Sequence, residues 1–224
     1  MKTEDAPILI VMLTKNDHTV RNAYNIFEEC KNTKATHWGF KEEGIPYDEM
    51  KKLFAYMKEC GKTTALEVVA YTQEECLKGA ETAIDCKCDI LMGTVFYDSV
   101  NELCKKHNIR YMPFVGDVSE RPSILNGEIE NIVSEAAECI GKGACGVDLL
   151  SYRYTGDPFT LSKALVENTS APVCIAGSVD SIEKLREIKE IKPWAFTIGG
   201  AFFDGVFGDS FPVQIDFVSD YINS

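Results

Sequence analysis

The sequence predicts a closed parallel α/β barrel of eight strand-helix units, a (β/α)8 or TIM barrel, on three observations. Short apolar runs alternate eight times with amphipathic stretches, and eight is the number at which a parallel sheet with outer helices closes on itself. The 224 residues have the length for one such barrel, taken as a single domain over 1–224. The competing open doubly wound sheet loses its dinucleotide-binding version, because no GxGxxG follows the first strand.

Each unit has its own signature. The continuous apolar run at 8–13 has the pattern of a strand buried on both faces, and 19–31 places Val20, Ala23, Tyr24, Phe27 and Cys30 at helical spacing. A strand at 36–40 precedes a helix over 47–60 with Met50, Leu53, Phe54 and Met57 on one face. Gly61 stops that helix, a third strand spans 64–71, and 73–86 is helical. Strand 89–93 is followed by a short helix at 99–107, and strand 109–115 by the longest irregular connection, 116–130, placed to fold over the barrel mouth. A helix over 129–140 leads to strand 147–151 and its helix at 160–168. Strand 173–176, a charged helix at 182–192, strand 195–198 and a last helix at 213–222 complete the pattern.

The final two strands deliver small residues to one sheet edge: Gly177-Ser178 after the seventh, Gly199-Gly200 after the eighth. Glycines at a strand exit let backbone N–H groups approach an anion, and the loops after strands seven and eight of such barrels commonly bind phosphate. Gly177, Ser178, Gly199 and Gly200 are therefore the expected phosphate cradle, with plain tight turns as the alternative.

Side-chain alternation assigns the polar residues of the early strands. With bulky Trp38 and Phe40 turned to the outer helices, His37, Gly39 and Lys41 point into the barrel. Leu66, Val68 and Ala70 form the next outer set, which turns Glu67, Val69 and Tyr71 inward. A mid-strand carboxylate is costly to bury without a cation, and Lys41 on the adjacent strand supplies one. The two read as a catalytic pair: the lysine holds an enolate oxygen, or acts as base or imine former if its pKa is lowered, and Glu67 carries the proton. A structural ion pair filling the lumen is the alternative. His37, Lys15 and Arg153 are expected to bind substrate, Arg153 because its planar fork suits carboxylate or phosphate. His18 and His107 lie on or beside helices and read as surface residues.

A formal charge of −12 argues against nucleic-acid and anionic-membrane partners, which require clustered Lys and Arg. The N-terminus lacks a secretory pattern, and no apolar run reaches the roughly 20 residues of a membrane span. Nine scattered cysteines read as reduced thiols, so a cytoplasmic location is expected. Cys86 and Cys88 lack the paired spacing of a zinc site, so no metal is expected, and no cofactor is implied. The expected partner is a small phosphorylated metabolite, and barrels of this size can also pair as homo-oligomers. No GxSxG, HExxH, P-loop or EF-hand pattern occurs.

Over about 172–204, VCIAGSVDS and WAFTIGGAFF resemble the closing strands of phosphate-binding (β/α)8 barrels, most closely the N-acetylmannosamine-6-phosphate 2-epimerase family. The resemblance implies phosphate binding by the four cradle residues. That family's acidic residue before the strand-seven glycine is Ala176 here, and its strand-three lysine falls at Ala70. LEVVAYTQEE at 66–75 with GTV at 93–95 is more weakly similar to the 2-keto-3-deoxy-phosphogluconate aldolases, whose catalytic glutamate falls on Glu67; their imine-forming lysine has no counterpart in SYRYTGD. The expected activity is proton transfer next to a carbonyl on a phosphorylated sugar or keto acid, of isomerase or epimerase type. An aldolase-type lyase using Lys41 and Glu67, or a barrel that binds a phosphometabolite without catalysis, are the alternatives.

Overall fold

The computed structural model describes residues 6–224. Eight parallel strands form the barrel: β1 (Ile8–Met12), β2 (His37–Lys41), β3 (Thr63–Val68), β4 (Ile90–Gly93), β5 (Arg110–Met112), β6 (Val147–Leu149), β7 (Val173–Ile175) and β8 (Ala195–Ile198). The ladder runs β6-β7-β8-β1-β2-β3-β4-β5. The seam between its ends is joined by a bridge between Phe114 and Asp148 and by backbone hydrogen bonds that the Cys145 amide donates to Tyr111 O and the Asp148 amide to Pro113 O, both 2.9 Å. The result is a nearly closed (β/α)8 barrel, as the eightfold alternation predicts.

Outside lie α1 (Ala23–Cys30), α2 (Tyr47–Glu59), α3 (Gln73–Asp85), α4 (Asp98–Lys106), α5 (Ile129–Gly141), α6 (Pro158–Asn168), α7 (Ile182–Ile191), the single turn α8 (Gly200–Phe203) and α9 (Phe211–Asn223). Local chemistry explains their starts. Thr72 and Glu75 form a reciprocal capping box on α3, while Asp157 caps α6 just before Pro158. None of the described helices is long and apolar enough to cross a membrane.

Two cores follow from strand alternation. Trp38, Phe40, Leu66 and Val68 pack outward among the helices. Ile10, Met12, Ala65, Ile90, Met92, Met112, Cys174 and Ala195 fill the lumen. The lumen is therefore solid in its lower part, and only side chains near the C-terminal strand ends reach solvent.

Three local departures matter to the site. Residues 14–19 do not enter a helix; Thr14–Lys15 pairs antiparallel with His18–Thr19, and Asn16 and Asp17 at its tip both have positive φ, 51° and 63°. Such a two-residue turn matches strand twist, and Asn and Asp tolerate it best among residues with a Cβ. Strand β3 ends at Val68 because the Val69 amide leaves the ladder to donate to the Glu42 carboxylate at 3.0 Å. Val69 consequently joins the outer core, and Tyr71, expected to point inward, donates its hydroxyl to Glu120 O at 2.8 Å. The connection at 116–130 contains an antiparallel ribbon, Asp117–Ser119 with Ile124–Asn126.

Candidate active site

The C-terminal ends of the strands surround a cavity of about 310 Å³. Strand β2 brings Lys41 to it and β3 brings Glu67, residues that sit side by side in the parallel register. Their Nζ–Oε1 separation is 3.6 Å. The hairpin tip adds Asp17, whose Oδ1 accepts a hydrogen bond from Lys41 Nζ at 2.9 Å. Asp17 also meets Arg153 Nη2 at 3.4 Å. Two carboxylates and two cations thus form one chain of charges, with side-chain exposures of 8% for Lys41, 12% for Glu67 and 15% for Asp17.

Their environment determines the charge states. Burial works against the Lys41 ammonium, but the Glu67 charge and the hydrogen bond to Asp17 outweigh it and hold its pKa above the ordinary lysine value. Burial also raises Asp17, and the hydrogen bond and charge of Lys41, with Arg153 behind them, more than reverse it. Lys41 is therefore an ammonium and Asp17 a carboxylate at neutral pH.

Gly177, Ser178, Gly199 and Gly200 all line the same cavity. Gly177 and Ser178 are consecutive residues of positive φ, 94° and 79°, a sharp turn that glycine makes freely and that leaves Ser178 in a region side chains seldom adopt. A Cβ on Gly177 would stand 3.1 Å from Arg153 Cγ, so the glycine lets the arginine pack directly on this loop. At Gly199 a Cβ would lie 2.7 Å from Thr14 O. The first amides of α8 have no intrahelical acceptor, and they begin at Gly200 beside that corner. Acidic groups at this rim are individually neutralised: Lys184 holds Asp180 at 2.8 Å and Lys15 holds Asp204 at 2.7 Å.

The ribbon roofs one side, contributing Pro122 and Ser123 to the lining. Arg121 fastens it to Glu43 at 2.9 Å and Glu42 at 3.5 Å. Tyr71 meets Ser123 Oγ at 3.0 Å from below. A larger hollow of about 620 Å³ lies at the other end of the barrel against Pro172 and Trp194, away from the strand ends that carry Lys41 and Glu67.

Two expected substrate contacts need correction. His37 faces inward but opens β2 at the barrel floor, edge-on to Trp194 with ring centroids 6.0 Å apart. The apolar plug separates it from the cavity, and burial, reinforced by the Arg110 charge, lowers its pKa to about 4. Lys15 lies on the hairpin outside the lining, committed to Asp204. Arg153, by contrast, lines the cavity. Asp17 was not anticipated; the Asn16-Asp17 pair after an apolar strand is the turn signal that marks it. Among the described residues no cluster of three or more His, Cys, Asp or Glu has metal-holding geometry.

No protein-family model matches the chain, and no curated protein matches its sequence. Solved structures do resemble it. Orotidine 5'-phosphate decarboxylase from Pyrococcus horikoshii OT3 is similar with a TM-score of 0.71 at 11% identity, over 97% of this chain and 100% of that one. N-(5'-phosphoribosyl)anthranilate isomerase from Pyrococcus furiosus gives 0.67 at 14% identity, over 97% and 100%. N-acetylmannosamine-6-phosphate 2-epimerase from Clostridium perfringens gives 0.64 at 12% identity, over 87% and 86%. These likenesses show the (β/α)8 fold, shared by enzymes whose names carry phosphorylated substrates.

Proposed function

We propose that the protein is an enzyme that moves a proton next to a carbonyl on a small phosphorylated sugar or keto acid, in the manner of an isomerase or epimerase. The observation that carries this reading is that Lys41 and Glu67 open onto the same cavity as the Gly177-Ser178 and Gly199-Gly200 corners. One small molecule can then place an anionic group against the amides while its carbonyl end meets the charged pair.

In this reading the phosphate takes the amides of the two glycine corners and the Arg153 guanidinium. The Glu67 carboxylate removes the proton from the carbon beside the carbonyl. The Lys41 ammonium holds the oxygen on which charge develops, and Asp17 fixes its position. An imine on Lys41 requires a free amine, and the flanking carboxylates oppose its formation, which favours proton transfer over the aldolase-type route. The names of similar structures, an isomerase and an epimerase among them, agree with this chemistry.

The test is incorporation of solvent deuterium into a panel of aldose and ketose phosphates and phosphorylated keto acids, followed by mass spectrometry. Exchange is expected with at least one substrate, falling about 100-fold or more in Glu67→Gln and in Lys41→Ala. Unchanged exchange in both variants removes the pair from the mechanism. Tight phosphometabolite binding with no exchange across the panel would instead identify a binding protein.

A further inference from the structure

Beneath the charged pair lies an acid that the proposed chemistry does not use. Asp148 is central in β6, has no solvent exposure, and neither carboxyl oxygen has a hydrogen-bond partner among the described residues. An ionised carboxylate without donors in a dry interior costs several kcal/mol even after relaxation, so such a group is retained only as the neutral acid.

Its surroundings name what governs it. The charged groups facing it are Glu67 from β3 and Lys41 from β2. Cys174 of β7 is its register partner, a fully buried thiol held neutral by burial, with the Glu67 charge adding to the effect. Strands β4 and β5, packed on the other side of β6, present apolar Met92 and Met112 to the lumen. Burial raises the Asp148 pKa and Glu67 raises it further, while Lys41 and the Gly93 amide pull the other way without cancelling the rise. Among the described residues, two acids thus share a lumen that contains one lysine. Glu67 has the ammonium at 3.6 Å, whereas Asp148 has only the polarity of the Gly93 amide, which does not reach hydrogen-bond geometry.

We propose that Asp148 is a positioning residue of the site, a neutral acid that holds one proton in the lumen and thereby leaves Glu67 as the ionised partner of Lys41. If Asp148 gave up that proton, a third carboxylate would join Glu67 and Asp17 around one ammonium, and the Lys41–Glu67–Asp17 geometry would lose its charge balance. The proton need not move during turnover, and no bond is made or broken at Asp148. The consequence for Glu67 as base rests on the proposed function, whereas the location of the proton does not.

Infrared difference spectroscopy on the full chain without substrate tests this and is read independently of any activity. Wild type at pH 7 is expected to show the C=O stretch of a carboxylic acid lacking hydrogen bonds, absent in Asp148→Asn. In Glu67→Gln, with the neighbouring negative charge removed, the pH at which this band gives way to carboxylate should fall by about one unit or more. A role confined to packing predicts no such shift. The proposal is overturned if wild type shows no such band at pH 7, or if Glu67→Gln leaves the midpoint unmoved. The Glu67→Gln comparison decides the matter even if Asp148→Asn does not fold.

Discussion

Lys41 is held by two acids of different origin. Glu67 comes from the neighbouring strand and Asp17 from the tip of a hairpin 24 residues earlier in the chain. Asp17 has a folded-state pKa below that of an unfolded aspartate, about 3.9. Its stabilisation is therefore fully present above that pH and is lost as the pH falls through the lower folded value. Asp17→Ala is expected to cost about 1–2 kcal/mol at pH 7, the low part of the range for charge-assisted hydrogen bonds because the site opens to water. Urea denaturation at pH 7 and again in acid checks the sign, since the difference from wild type should vanish as the pH drops below the folded value. Lys41 and Glu67 were legible because bulky Trp38 and Phe40 on β2, and Leu66 and Val68 on β3, settle which faces of the two strands turn inward. His37 shares that face, yet period-two alternation says nothing of height, and four residues along a strand are enough to move a side chain from the mouth to the floor.

At the level of elements, the two glycine corners have different tolerances. Gly199 sits against the carbonyl of Thr14, whereas a Cβ on Gly200 meets nothing within 4 Å. Gly199→Ala should lower stability by about 1–3 kcal/mol by overpacking. By displacing the corner it should also weaken inorganic phosphate binding about tenfold, equivalent to ~1.4 kcal/mol. Gly200→Ala should leave stability unchanged to within about 0.5 kcal/mol. Thermal unfolding and calorimetry of both variants separate the corners, and equal destabilisation by the two would contradict the packing. The strand-turn-helix order around these glycines was readable from the chain. At 14–19 the Asn16-Asp17 turn signal was present, but strands of two residues leave too little alternation to register as a hairpin. The ribbon at 117–126 escaped for the same reason: its three-residue strands are bonded to each other rather than to the barrel ladder.

For the whole molecule, closure brings chain-distant residues to a common mouth. Strands β8 and β1 pair directly, so the last glycine corner lies beside the hairpin that follows the first strand. Eightfold alternation was enough to anticipate this meeting, because a closed parallel barrel places every strand exit at one end. Which exits then touch depends on hairpin and ribbon geometry absent from the strand pattern. A crystal structure of the protein soaked with inorganic phosphate decides whether the glycine corners and the charged pair form one site. An anion is expected within hydrogen-bonding distance of the Ser178 and Gly200 amides and of Arg153, with open space leading from it to Lys41 and Glu67. A cradle without anion density while phosphate binds elsewhere on the barrel, or an anion cut off from that pair, would contradict a single site.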